Sequence, residues 1–144
     1  MRDFLQDNRH TKVADHTVAG TDAVESASVD LAGFRGVVFL TSVGTANAGN
    51  TIKAQQSSDD GASDGWRDLA GTLVTSGSSD EDLILEVVRP TKRYVRAVVT
   101  RGASTTCESI WAIRTGASTP QLAANSVSGT QVAELHGAPA EGTA

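Results

Sequence analysis

Apolar side chains in this chain recur at every second position, in short runs separated by clusters of Gly, Asp, Asn and Ser. Such spacing puts one apolar face on an extended strand, because successive side chains point to opposite sides. No stretch beyond about ten residues carries the i, i+3, i+4, i+7 repetition of a stable amphipathic helix. The pattern therefore predicts an all-β protein, an antiparallel β-sandwich or barrel of about seven to eight strands with extended polar termini. A length of 144 residues suits one core, since a domain near that size buries roughly 70% of the surface its unfolded chain exposes.

The clearest strand is 34–43, Phe-Arg-Gly-Val-Val-Phe-Leu-Thr-Ser-Val, with β-branched and aromatic residues. It carries apolar side chains on both faces and is expected to be central. Around 24–31, Ala23, Ala27, Val29 and Leu31 are expected to share one face, with Ser26, Ser28 and Asp30 on the other and Glu25 as an outlier. Residues 51–57 alternate Ile52 and Ala54 with polar positions and run into Ser58-Asp59-Asp60-Gly61-Ala62-Ser63-Asp64-Gly65. That segment has the chemistry of a hairpin loop, since Asp and Gly accept a positive φ. Further strands are expected over 82–89, 92–100 and 108–114, with Pro90 marking a strand end.

Composition divides the chain into three. Residues 1–20 are polar with little periodicity and read as an arm or an edge strand; 21–116 form the β-domain; 117–144 are a small-residue C-terminal tail. The first ten residues lack the apolar core of a secretory signal, and no stretch approaches the roughly 20 apolar residues that span a bilayer. A soluble protein without membrane contact, made in a cytoplasm, is expected.

Chemistry-bearing residues are sparse. A net charge of −5, from 12 basic and 17 acidic residues, argues against a phosphate-tracking surface and hence against nucleic acid as a partner. The lone Cys107 excludes an intrachain disulfide and a cysteine-based zinc site, and it reads as a small buried hydrophobe. His10, His16 and His136 match no metal-ligand spacing, and Asp59, Asp60 and Asp64 lack the alternation and distal Glu of a calcium loop. No catalytic set, metal or cofactor is expected, and an enzyme is the weakest class. Positive charge concentrates in Arg89, Lys92, Arg93, Arg96 and Arg101. With Val95, Ala97 and Val99 facing the core, Tyr94, Arg96 and Val98 share an outer contact face; the alternative puts Tyr94 and Val98 inside and Arg96 at a barrel mouth. Phe4 and Leu5 form an isolated apolar pair in a polar segment and are expected to contact a partner. Of the aromatic residues Trp66, Trp111, Tyr94, Phe4, Phe34 and Phe39, most are expected in the core, which leaves no row for sugar stacking.

The string Ile52-Lys53-Ala54-Gln55-Gln56-Ser57-Ser58-Asp59-Asp60-Gly61, then Gly65-Trp66-Arg67-Asp68-Leu69-Ala70-Gly71-Thr72, then Lys92-Arg93-Tyr94-Val95-Arg96, resembles the capsid decoration, or cement, proteins of tailed bacteriophages. The resemblance runs over residues 24–114, and here the loop before Trp66 is lengthened by Ala62-Ser63-Asp64-Gly65. It implies a virion structural protein on the outer capsid surface, stabilising contacts between major capsid protein subunits as a homotrimer. Phage tail or neck structural proteins and carbohydrate-binding β-sandwich modules are the alternative classes.

Overall fold

The computed structural model describes residues 4–119. After a one-turn helix α1 (Phe4–Asp7) come β1 (Arg9–Ala14), β2 (Thr17–Gly20), β3 (Val24–Glu25), β4 (Val29–Asp30), β5 (Gly36–Val43) and β6 (Thr51–Ser57). They are followed by β7 (Arg67–Asp68), β8 (Val74–Thr75), β9 (Glu81–Val88), β10 (Tyr94–Thr100), β11 (Thr105–Cys107) and β12 (Ile110–Thr115). Two antiparallel sheets result, and the fold is an all-β sandwich.

Several of the twelve strands are pieces of one extended passage with a short interruption. β1 and β2 run together along β12 and β11, from Arg9↔Arg114 to Gly20↔Thr105. β3 and β4 together line β10, and β7 and β8 together line β6. Counted as passages there are eight, in agreement with the seven to eight expected. The first sheet holds passages one, eight, three and six (β1/β2, β12/β11, β5, β9); the second holds two, seven, four and five (β3/β4, β10, β6, β7/β8). This interleaved order is that of a jelly roll, a double-sheet form in which each sheet alternates early and late segments of the chain.

The two inner faces meet in one core. Val37, Phe39 and Val43 of β5, Leu83, Leu85 and Val87 of β9, and Ile110 and Ala112 of β12 face Ile52, Ala54, Val95, Ala97 and Val99 across the layers. Cys107 is fully buried among them, and that burial pushes its thiol pKa up. Strand β9 alternates exposed and buried residues from Asp82 to Val88, where it ends; Arg89 then takes a positive φ of 51° immediately before Pro90, so the chain turns where the sequence placed a strand end.

Of the two readings of the first twenty residues, an arm or an edge strand, residues 9–20 take the second: they form the edge of the first sheet, paired with residues 105–114. Their signal was weak because an edge strand covers only part of each side chain: Arg9 to Lys12 are all half-buried and just Val13 is inside. In 24–31 the expected face is lost midway. Ser26 is buried, accepting the Ala97 N–H at 2.9 Å, whereas Ala27 is exposed and its N–H reaches across to Val13 O at 2.8 Å. A buried hydroxyl that finds a partner costs little, so the strand changes face there. Of the tail, Ala117 is buried and its N–H bonds Asp7 O, and Ser118 N–H bonds Gly33 O; residues 120–144, His136 among them, lie outside the described residues.

Candidate protein-binding site

Each sheet presents an outer face, and the two differ in chemistry. On the second sheet Tyr94 and Arg96 of β10 are half-buried on the face opposite Val95, Ala97 and Val99, whereas Val98 beside them is buried, so Arg96 lies on an outer face and not at a barrel mouth. Register places Arg96 opposite Gln55 and Gln55 opposite Asp68. A hydrogen-bonded ladder runs through them: Arg96 Nη1 to Glu25 at 2.7 Å, Arg96 Nε to Gln55 at 2.8 Å, Gln55 Nε2 to Asp68 at 2.8 Å, and Lys53 Nζ to Asp68 at 2.7 Å. The Trp66 ring lies against the Arg96 guanidinium, Cζ 4.8 Å from the centroid, and Arg93 covers Tyr94 at 5.2 Å while gripping Asp30 with two bonds. Most donors and acceptors of this face are spent within the chain.

The lengthened loop after β6 belongs to the same system. Ser57 is fully buried; its hydroxyl donates to Asp64 O at 2.7 Å and accepts from Gly61 N–H at 2.8 Å. The Asp59 carboxylate takes the N–H groups of Ser63 and Asp64, and Asp64 takes the Ser58 N–H and the Lys92 ammonium. These carboxylates cap loop backbone, a structural use for the residues weighed above as calcium ligands.

The first sheet differs. Two cross-strand rows span its outer face: His10–Ile113–Val38–Glu86 and Lys12–Trp111–Leu40–Ile84. Between charged or polar ends lies a continuous apolar strip of Val38, Leu40, Ile84, Trp111 and Ile113, with Ile84 61% and Val88 50% exposed. Trp111 and Trp66 are both half-buried on opposite outer faces, so the aromatic residue that fills the core is Phe39, with Phe34 packed at its margin. A groove of about 420 Å³ runs into one end of the strip between Leu40, Ile84 and Trp111 on its apolar wall and Ser42, Asp82 and Glu108 at its rim. Asp82 accepts from Ser42 Oγ at 2.7 Å, and Glu108 lies 3.1 Å from His16 Nδ1.

The pair Phe4 and Leu5 adjoins this face. Phe4 is 61% exposed, and its ring meets His10 at a centroid distance of 5.0 Å, while His10 neighbours Ile113 in register; Leu5 is half-buried. The structure thus brings Phe4 to the strip and leaves Tyr94 and Arg96 on the opposite side of the sandwich. The basic cluster is dispersed: Lys92, Arg93 and Arg96 are ion-paired with Asp64, Asp30 and Glu25. Arg101 is buried at the far end, where it donates to the carbonyls of Asp22, Val18 and Thr105.

No protein-family model and no curated protein matches the chain. A solved structure described as "Bacillus endospore appendages form a novel family of disulfide-linked pili" is similar to it over 78% of this chain and 91% of that one, at 14% identity and a TM-score of 0.41. The jelly-roll assignment rests on the strand pairing given above.

Proposed function

We propose that this chain is a non-enzymatic structural protein of a bacteriophage particle that attaches to the outer capsid surface and stabilises contacts between major capsid protein subunits. The observation that carries the protein-binding part is the apolar strip Val38–Leu40–Ile84–Trp111–Ile113 on the first sheet. In a two-layer sandwich only the inner faces need apolar residues, and this strip on an outer face has no cover among the described residues. Aromatic and aliphatic anchors ringed by charge are also the composition of contact surfaces. The capsid part rests on the sequence resemblance, and with it come the homotrimer, the virion location and synthesis in the host cytoplasm. Jelly rolls serve many roles, so the strip, not the fold, argues for binding.

The test uses heads of a tailed phage encoding the chain, prepared with its gene deleted, and measures co-sedimentation of purified protein. Wild type is expected to bind at saturable sites. Trp111→Ser and Ile84→Ser, which leave the core intact, are expected to weaken binding about tenfold or more. Heads that retain none of the wild-type protein would refute the reading.

A further inference from the structure

The groove at one end of the strip has a charge pattern that its own fold leaves open. Asp82 and Glu108 stand at its rim, and neither is ion-paired with a Lys or Arg among the described residues; their partners are the Ser42 hydroxyl and the His16 ring. Its wall is the indole of Trp111 with Leu40 and Ile84. Two carboxylates over an aromatic and aliphatic wall suit a guanidinium on a hydrocarbon stem, which gains charge-assisted hydrogen bonds at its head, contact with the ring and burial of its methylenes.

The opposite end of the same sheet supplies that group. Arg35 and Arg89 are held side by side because the Arg89 N–H bonds Arg35 O at 2.8 Å; both are exposed, and neither side chain makes an ion pair or ring contact among the described residues. Arg89 owes its position to the positive φ before Pro90, and Arg35 packs its Cβ against Gly116. Glu86 lines the hollow beside Arg35 without pairing to it. The groove lies towards the other end of β5 and β9, lined there by Leu40, Ser42, Asp82 and Ile84. The first sheet is therefore polarised along its strands, arginine at one pole and carboxylate at the other.

We propose that the Asp82–Glu108 groove receives Arg35 or Arg89 of a second copy of this chain, forming a head-to-tail contact between protomers. The inference rests on the reading of the strip as a protein-binding surface and names the partner at its acidic end; Val38, Ile113 and Val88 lie outside the groove. A contact between two different patches is heterologous, and it closes into a ring when the rotation permits, as the expected homotrimer requires.

A mixing experiment tests this. Analytical ultracentrifugation compares wild type, Arg35→Ser/Arg89→Ser, Asp82→Arg/Glu108→Arg and an equimolar mixture of the two variants, each checked for an unchanged thermal melt. Wild type is expected to associate, and more weakly as salt is raised. Each variant alone is expected to be monomeric, with the association constant lowered on the order of 100-fold. The mixture, with one intact pole from each partner, is expected to stop at a pair. Variants that assemble like wild type, a mixture that stays monomeric, or a wild type that is monomeric at low salt would each overturn the proposal. Binding to undecorated heads is read separately: variants that lose association and keep head binding leave the capsid role standing, and a wild type that associates yet does not bind heads removes that role while the head-to-tail contact stands.

Discussion

Arg96 bridges the outer face of the second sheet by lying against Trp66, its Cζ 4.8 Å from the ring centroid, while its guanidinium nitrogens reach Gln55 and Glu25. Three strands and the loop after β6 are tied through this one side chain. A double-mutant cycle of Arg96→Ala and Trp66→Ala, followed by urea denaturation, is expected to give a coupling energy of about 0.5–1 kcal/mol. Arg96→Lys is expected to lose most of that coupling, because an ammonium lacks the planar fork that bonds two acceptors while stacking.

Acid is expected to loosen the same end of the molecule. The Arg93 guanidinium beside Asp30 and the Lys92 ammonium beside Asp64 lower both carboxyls from their usual 3.8 to about 2. A group whose pKa is depressed on folding stabilises the fold above its unfolded value and loses that contribution as pH falls through the folded one. Stability measured by urea midpoint is therefore expected to decline from about pH 4 towards pH 2, and Asp30→Asn with Asp64→Asn is expected to flatten that slope. An unaltered slope in the double variant would show that other carboxyls carry it.

Gly61 has a φ of +81°, and a Cβ there would stand 2.6 Å from Trp66 Nε1. Gly61→Ala is expected to cost about 1–3 kcal/mol, from the left-handed backbone and the displaced ring together. In a Trp111→Phe background, a red shift of the remaining tryptophan emission would report the displacement; an unmoved spectrum with full stability would contradict it.

Cys107 is fully buried with a raised thiol pKa, next to the Thr41 hydroxyl. Since the thiolate is the reactive form, a thiol reagent at neutral pH is expected to label the native protein only through opening of the sandwich, and to label it at once in concentrated guanidinium. Rapid labelling of the native chain would mean that the β11 end of the first sheet opens locally.

The sheet positions and most core residues were legible because two-residue periodicity survives wherever one face is buried, as in β9 and β10. Legibility failed where burial is partial. The edge passage 9–20 mixes Arg9, Thr11 and Lys12 with a single buried Val13, so its pattern reads as polar. The outer strip was also written in the sequence, in the apolar residues on both faces of 36–43 and the run Ile110-Trp111-Ala112-Ile113. The two apolar faces of 34–43 pointed to a central strand, and β5 does lie between β12 and β9; in a sandwich such a strand still has one inner face, so Val38 and Leu40, with Trp111 beside them, make up the outer strip. For Tyr94 and Arg96 the alternation left an outer face and a barrel mouth both open; that their partners are Asp30-bound Arg93, Gln55, Glu25 and Trp66 depends on cross-strand register, which spacing along one strand does not encode.

The pairing of residues 9–20 with 105–114 has a mechanical meaning. Arg9 and Arg114 sit opposite one another at the same end of that ladder. Tension applied between them would peel the strands apart one hydrogen-bonded pair at a time, so the resisting force is that of a single pair. Tension between residue 20 and residue 114, at opposite ends, would instead load the whole ladder in shear and strain its bonds together. The module is thus weak when pulled open at its arginine pole and strong when stretched lengthwise, so the direction in which a partner tugs decides whether the sandwich yields.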